Sequence, residues 1–292
     1  MNMPRLSFPQ RLTRTPDRRP TKAAYALPTL FTAGNMFLGF IAVMQTFNAA
    51  LSANVDIAAV HFSNAAKAIG LAMLLDGLDG RIARMTNTTS DFGREMDSLS
   101  DVITFGIAPA ILAFVWGIHG ADTKGVPLVH EHLMRIGYFC CFLFLACGSA
   151  RLARFNITLN PVLKNPGRPD RKYFAGLPIP AAASLVASVV YADGGYPVTW
   201  WPEALVWTLL MAALGFLMVS TWRYRSFKDL NLLRPRSSLL FIFLASFIFL
   251  LWNYSQIMLL IMGVLYVGSG AMVRLGGVLK RFRTRRAEVV QH

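Results

Sequence analysis

Long apolar stretches make up most of this 292-residue chain, and short polar stretches separate them. About 20 mostly apolar residues suffice to cross a bilayer as a helix. By that rule the pattern predicts spans at residues 27–50, 57–75, 98–118, 134–154, 177–193, 202–222, 237–253 and 254–274. The last two nearly merge, because only residues 252–255 offer a turn. We therefore expect an all-α fold, a polytopic transmembrane helical bundle of about eight spans.

Composition supports a membrane protein, because 54% of the residues are hydrophobic and only 15% are charged. Soluble chains are about one quarter charged. The prediction divides the chain into a basic N-terminal arm at 1–26, a membrane-embedded domain at 27–274 and a basic tail at 275–292.

The net charge of +14 follows the predicted loops. Of the 29 Lys and Arg residues, 26 fall in the two termini and in the loops on one side of the predicted spans. Only Lys124 and Arg135 fall in the loops on the other side, and Lys67 lies inside the second span. Positive loops stay in the cytoplasm, so both termini and the segment 76–101 are expected on the cytoplasmic side of the membrane, the cell membrane if the source is bacterial. This placement argues against a nucleic-acid partner and suggests that the basic loops attract anionic membrane lipids.

Four aspartates stand between the second and third apolar runs: Asp76, Asp79, Asp97 and Asp101. On a helix the first two lie roughly 60° apart and the last two roughly 40° apart, so each pair shares a face. Two facing helices would bring the four carboxylates into one volume. Carboxylates at helix ends are often only solvated caps, but four at these spacings near hydrocarbon favour a functional site.

Crowded carboxylates repel one another and tend to protonate unless a cation compensates their charge. Hard oxygen ligands without Cys or His favour Mg²⁺ or Mn²⁺ over zinc. The same segment contains the small residues Gly80 and Ala83, which leave room for a ligand near the backbone, and Arg84, whose guanidinium matches a phosphate. Together these residues suggest a diphosphate ligand.

The full spacing, from Asp76 and Asp79 through Gly80, Ala83, Arg84 and Gly93 to Asp97 and Asp101, resembles the signature of the CDP-alcohol phosphotransferase family. Segments 27–35, 146–156 and 174–180 resemble the membrane-embedded phosphatidylserine synthases within that family. The resemblance covers residues 27–180; the last third is similar only as membrane helices. It implies a CDP-alcohol phosphotransferase-like bundle, usually a homodimer.

The resemblance also implies a reaction, in which the hydroxyl of L-serine attacks the lipid-bearing phosphorus of CDP-diacylglycerol and CMP leaves. Two divalent cations, Mg²⁺ or Mn²⁺, would be held by the four aspartates, with Asp101 also the general base. The implied CDP-diacylglycerol contacts are Asp79, Gly80, Ala83, Arg84 and Gly93, with Thr32 and Asn35 near the cytidine.

The acceptor alcohol is less determined by the sequence. Arg151 and Arg154, three positions apart at the end of the fourth span, are candidates to bind the serine carboxylate, although a topogenic pair fits equally well. Glycerol phosphate or inositol phosphate would also need arginine, whereas choline would need aromatic or acidic contacts. A cation-coupled transporter is the alternative from another class, but its acidic site would be expected near the membrane midplane.

His61 and Lys67 place two polar side chains inside the second span, beside Ser63 and Asn64. We expect these residues to line a polar cavity or to extend toward the interface rather than to take part in the chemistry.

Overall fold

The computed structural model describes residues 22–86, 91–123, 127–159, 173–225, 246, 249–270 and 272. Within these residues the fold is helical apart from two three-residue strands, which confirms the predicted all-α bundle. The helices are α1 (Lys22–Leu51), α2 (Val55–Thr86), α3 (Asp91–Asp101), α4 (Ala108–Phe114), α5 (Pro127–Leu159), α6 (Ile179–Ala192), α7 (Trp201–Val219) and α8 (Ser255–Gly270). Strands β1 (Tyr173–Ala175) and β2 (Arg223–Arg225) pair antiparallel.

Five helical stretches in the described residues are long and apolar enough to cross a membrane. They are Leu30–Leu51, Val55–Leu78, Phe92–His119, Pro127–Ile157 and Trp201–Val219. The shorter apolar helices α6 and α8 match two further predicted spans. The predicted span 237–253 lies largely outside the described residues, and the predicted break at 252–255 is a bend at Tyr254. The protein is therefore an integral membrane protein, and the predicted count of eight spans is approximate.

Helix α2 continues well past the predicted end of the second span at residue 75. The segment from Asp76 to Thr86 is helical, as expected for Asp76 and Asp79. The membrane span predicted to end at residue 75 is close to the observed apolar stretch Val55–Leu78, and the helix continues beyond it because each further residue adds a hydrogen bond. The motif residues up to Arg84 consequently stand on one rigid helix.

Helices α1 and α2 pack along each other through small side chains. Ala42 and Ala65 are completely buried, and Ala66 is nearly so. Small residues allow two membrane helices to approach closely, so that dispersion contacts between the helices can stabilise the pair. This packing fixes α2 relative to α1.

The third span crosses the centre of the bundle as a mixed helix. Helices α3 and α4 are joined by a π-helical stretch at Val102–Ile107, and a second one follows at Val115–His119. The indole Nε1 of Trp207 on α7 donates a hydrogen bond to the Ala113 carbonyl at 2.9 Å, and its ring meets that of Trp116 edge-on at 5.0 Å. These contacts fix the third span against α7.

The two-stranded sheet lies at the end of the bundle that carries Thr86 and Asp91, which we call the motif end. Beside the sheet, the Gly176 amide donates to the Trp222 carbonyl at 2.8 Å and the Leu177 amide to the Leu217 carbonyl at 3.0 Å. Gly176 has a φ of +80°, a backbone conformation that glycine adopts readily and other residues rarely adopt. These contacts fix the segment that leads into α6 at Ile179.

Candidate active site

Three of the four predicted aspartates converge. One carboxylate oxygen from each of Asp76, Asp97 and Asp101 lies within 4.8 Å of the other two. Asp76 comes from α2, and the other two come from α3. Asp79 stands three positions after Asp76 on α2, but its side chain lies outside the described residues. The predicted meeting of two helices through their carboxylates is thus confirmed for three of them.

Local sequence explains how α3 presents its pair. Asp97 and Asp101 are four residues apart and therefore lie one above the other on the same helical face. Near them the Ser100 hydroxyl donates to the Thr32 carbonyl at 3.3 Å and the Thr104 hydroxyl to the Asn35 carbonyl at 3.1 Å. Because α1 also packs on α2, these bonds hold all three carboxylates in one frame.

A π-helical stretch begins directly after Asp101, at Val102. Such widened turns are rare and occur often at functional sites. Here Gly39 of α1 approaches the stretch so closely that a Cβ on it would lie 2.8 Å from the Thr104 Cα. The sequence VITFGI gave no sign of this change, since apolar residues suit an α-helix equally well.

The aspartates line a cavity of about 380 Å³ at the motif end of the bundle. Its remaining lining comes from α3, from the end of α5 and from the start of α6: Arg94, Ser98, Arg151, Leu152, Phe155, Asn156, Pro178, Ile179 and Pro180. Asn156 Nδ2 donates to Ser98 Oγ at 2.8 Å, which in turn donates to the Arg94 carbonyl at 3.0 Å. These bonds tie α5 to the aspartate helix.

The two candidate arginines differ in their position. Arg151 is half-buried and lines the cavity, and its buried Nε has no hydrogen-bond partner among the described residues. Arg154 is exposed and is not among the lining residues. The cavity therefore combines three carboxylates with two arginines, Arg94 from α3 and Arg151 from α5, an arrangement suited to a ligand that carries charges of both signs.

Comparison with known proteins agrees with this geometry. Residues 25–214 match the sequence profile of the CDP-alcohol phosphatidyltransferase family. The chain belongs to this family. The match covers α1 through most of α7 and includes every residue named above as part of the cavity.

Individual relatives of this CDP-alcohol phosphatidyltransferase are similar over most of their length. The chain is 37% identical over 212 residues to the CDP-diacylglycerol–serine O-phosphatidyltransferase of Helicobacter pylori, covering 73% of this chain and 77% of that one. It is 30% identical over 202 residues to the enzyme of the same name from Bacillus subtilis, covering 69% and 91%. It is also 33% identical over 201 residues to the archaetidylserine synthase of Methanothermobacter thermautotrophicus, covering 68% and 69%.

Two buried polar residues of this family member, both on α1, lie near the start of the third span that carries Asp101. Asn35 is completely buried, and neither its side-chain nitrogen nor its oxygen has a hydrogen-bond partner in the described part of the chain. Thr32 is 6% exposed, one turn earlier. A buried amide left without partners costs free energy that a bound ligand could recover. Neither Asn35 nor Thr32 is among the residues that line the aspartate cavity, so their contact with the nucleotide stays a prediction.

The other predicted nucleotide residues lie on the expected helices. Gly80, Ala83 and Arg84 follow Asp76 along α2, and Gly93 is in the first turn of α3. The side chains of Ala83 and Arg84 lie outside the described residues. The assignment of these residues to the nucleotide therefore stays a prediction.

The carboxylates fit a divalent cation by their chemistry. The group holds only carboxylate oxygens, the ligands that hard cations prefer. Asp97 Oδ1 is buried without a hydrogen-bond partner among the described residues. A buried, unpartnered carboxylate oxygen beside two further carboxylates is unfavourable unless positive charge neutralises it.

Several cavity residues escaped the sequence analysis. Arg94, Ser98, Phe155 and Ile179 were not singled out as cavity contacts. They reach the site from α3, α5 and α6, which are far apart in the chain. The available signal was the similarity of segments 146–156 and 174–180 to one group within the family, because both segments supply cavity residues.

Proposed function

We propose that this protein transfers the phosphatidyl group of CDP-diacylglycerol to the hydroxyl of L-serine, giving phosphatidylserine and CMP. The observation that carries the proposal is the single cavity lined by Asp76, Asp97, Asp101 and Arg151. The serine named in all three relatives described above supports the choice of acceptor.

The carboxylates of Asp76, Asp79, Asp97 and Asp101 would hold two divalent cations, Mg²⁺ or Mn²⁺. Bound there, the cations supply positive charge that neutralises the diphosphate and the charge developing on the leaving group. The protein contributes the fixed positions of its carboxylates. Because α2 and α3 are both anchored to α1, little reorganisation is needed when the ligand binds.

Asp101 would act as the general base. In the reaction, the serine Oγ forms a bond to the phosphorus that carries the diacylglycerol, and the bond from that phosphorus to the bridging oxygen breaks to release CMP. The hydroxyl proton passes to the Asp101 carboxylate, which must approach within about 3 Å of it. Asp101 is 9% exposed, so bulk water has little access to compete with serine.

The nucleotide would lie along α2 and α1. Gly80 and Ala83 leave space beside the α2 backbone, Gly93 allows close approach at α3, and Arg84 offers a guanidinium to the phosphates. Thr32 and Asn35 would contact the cytidine. The unpartnered amide of Asn35 supports this assignment, since a pyrimidine carries both donors and acceptors.

Serine would bind with its carboxylate toward Arg151. A guanidinium matches a carboxylate in two parallel hydrogen bonds, and the half-buried position of Arg151 strengthens such bonds. Arg154 would add long-range attraction from the exposed side. An anionic acceptor such as glycerol phosphate or inositol phosphate would use the same charge, and we treat these alcohols as the alternative.

The membrane orientation follows from charge. Arg81, Arg94 and Arg151 belong to elements that meet at the motif end, and excess Lys and Arg marks the cytoplasmic side. We propose that this end and both termini face the cytoplasm, where serine and CMP are soluble. The basic segments would also attract anionic lipids, and the working form would be a homodimer, as expected for the family.

The test is a panel of acceptors with purified full-length protein, CDP-diacylglycerol and Mn²⁺ or Mg²⁺. CMP release and lipid product are measured with serine, glycerol phosphate, inositol phosphate, choline and no alcohol. We expect serine alone to give phosphatidylserine with matching CMP. If another alcohol is the preferred acceptor, the assignment of serine is wrong. If no alcohol leads to CMP release, the proposed transferase activity is wrong.

A further inference from the structure

A second polar cavity lies at the other end of α2 from the aspartates. It encloses about 420 Å³, and its lining includes Asp56, Ser63, Asn64, Lys67 and Tyr196. Asp56 in this cavity and Asp76 in the other are twenty residues apart on one helix, which corresponds to about 30 Å along the helix axis. This distance places the second cavity at the opposite membrane face, away from the proposed chemistry.

Hydrogen bonds connect the residues that line this cavity. Ser63 Oγ donates to the Gly194 carbonyl at 2.9 Å, and the Tyr196 hydroxyl donates to Asp56 Oδ1 at 3.2 Å. The turn that carries Gly194 and Gly195 has φ values of +70° and +82°, and a Cβ on Gly195 would overlap the α2 backbone. The turn after α6 is thus fixed against α2 at two points.

Lys67 is the cation of the cavity. Its Nζ lies 5.4 Å from the centroid of the Tyr191 ring, and no carboxylate forms an ion pair with it in the part of the chain that the structure describes. Lys67 belongs to the candidate span Val55–Leu78 and is exposed at the surface of the bundle. Ammonium groups in membrane spans are costly unless an opposite charge or a polar cavity receives them.

The two charges of the cavity are ordered by depth. Asp56 stands in the first turn of α2, near the helix end, and Lys67 is eleven residues further into the span. Eleven residues correspond to about 16 Å along the axis. Side chains on a helix tilt toward its N-terminus, so the long side chain of Lys67 can carry its ammonium toward Asp56 and the interface.

We propose that this cavity binds the headgroup of an aminophospholipid, with the phosphodiester at Lys67 and the primary ammonium at Asp56 and Tyr196. The order of charges matches such a lipid in a leaflet: ammonium outermost, phosphate below it, and acyl chains toward the midplane. Asn64 supplies a further hydrogen-bonding group beside Lys67. The site is independent of the proposed transferase reaction.

Native mass spectrometry of the full-length protein in detergent micelles tests the proposal. The probes are phosphatidylethanolamine, phosphatidylglycerol, which keeps the phosphodiester but lacks the ammonium, and diacylglycerol, which lacks both. We expect Lys67→Met to weaken binding of both phospholipids about tenfold, the effect of losing one charge-assisted hydrogen bond. Asp56→Asn should weaken only phosphatidylethanolamine, and diacylglycerol should not bind at this site.

Arg135→Met is the matched control, because Arg135 is a basic residue near the same membrane face that pairs with Glu131 outside the cavity. Equal binding by the Lys67 and Arg135 variants would overturn the proposal. Soluble phosphoethanolamine is added as a competitor; displacement at the same concentration as the lipid would show that a free phosphate ester, and not a lipid, is the occupant.

A measurement on the unmodified protein avoids dependence on variant folding. Phosphatidylethanolamine with a photoactivatable group in its acyl chain is crosslinked to the protein, and the labelled peptides are sequenced. Because the acyl chains extend from the headgroup toward the midplane, we expect labelled residues on α2 from Lys67 to Leu75, in addition to any at the aspartate cavity. Labels found only at the aspartate cavity or on other helix faces would overturn the proposal.

Discussion

Replacing Arg151 by methionine tests how the acceptor is bound. The substitution keeps an extended apolar side chain but removes the guanidinium that lines the aspartate cavity. Hydrogen bonds to charged groups contribute about 1.5–3 kcal/mol. Because Arg151 is only half-buried, solvent screens part of this energy and the lower half of the range applies. At about 1.4 kcal/mol for each factor of ten, we expect the KM for serine to rise about tenfold to thirtyfold.

The effect should fall on KM more than on kcat. The serine carboxylate does not change during the reaction, so Arg151 would bind the ground state and the transition state equally. The assay follows CMP release at saturating CDP-diacylglycerol while serine is varied. Arg154→Met is the comparison variant, for which we expect a rise of at most about fivefold, the range of an exposed charge.

A substrate lacking the carboxylate sharpens this test. Ethanolamine keeps the hydroxyl and amine of serine but lacks the carboxylate, so Arg151→Met should change CMP release with ethanolamine little. This double comparison isolates the interaction between guanidinium and carboxylate from general damage. Equal losses with serine and ethanolamine, or a fall in kcat with unchanged KM, would refute carboxylate binding by Arg151.

Three further substitutions follow from the structure. For Asp101→Asn we expect kcat to fall about 10²-fold to 10⁴-fold while equilibrium binding of CDP-diacylglycerol is largely retained; near-normal turnover would remove its role as base. For Asn35→Leu we expect a higher melting temperature without ligand, because two buried unpartnered atoms disappear, but about tenfold weaker CDP-diacylglycerol binding; unchanged binding would exclude the amide as a contact. Gly39→Ala should destabilise by about 1–3 kcal/mol because its Cβ would crowd Thr104, whereas Gly70→Ala, with nothing within 4 Å, should not; equal melting temperatures would contradict this packing.

The convergence of the aspartates was predictable because it depends on local geometry. Spacings of three and four residues place Asp76 with Asp79 and Asp97 with Asp101 on single helical faces whatever the rest of the chain does. Two helices that face each other through these pairs bring the carboxylates together. The structure places Asp76 beside Asp97 and Asp101 as that reasoning requires.

The opposite wall of the site was not predictable in the same way. Phe155 and Ile179 line the cavity from α5 and α6, and the two-stranded sheet fixes the segment before α6 against the segment after α7, a helix that packs on α5. Tyr173–Ala175 and Arg223–Arg225 are about fifty residues apart and too short to give a periodic signal. The π-helical stretch after Asp101 was also not predicted, because the apolar residues of Val102–Ile107 suit an α-helix equally well.

Membrane spans predicted from hydropathy do not give the ends of the helices. Hydropathy ended the second span at residue 75, but α2 continues to Thr86 through Arg81 and Arg84, which are good helix formers. Similarly, α6 has only 14 residues, about 21 Å, although its apolar sequence suggested a full span. Apolar length measures the bilayer that a segment can occupy, and packing decides how much of it is helix.

Binding of Mn²⁺ measured by electron paramagnetic resonance tests the central claim most directly. Free Mn²⁺ is titrated with the purified protein, with and without CDP-diacylglycerol, and Asp97→Asn is compared with Asp122→Asn, whose carboxylate lies at the opposite end of the bundle. We predict that the protein binds Mn²⁺, that CDP-diacylglycerol tightens the binding, and that only Asp97→Asn weakens it, by about tenfold or more. Equal Mn²⁺ binding by both variants, or binding indifferent to CDP-diacylglycerol, would contradict a metal-dependent transferase centre at these aspartates.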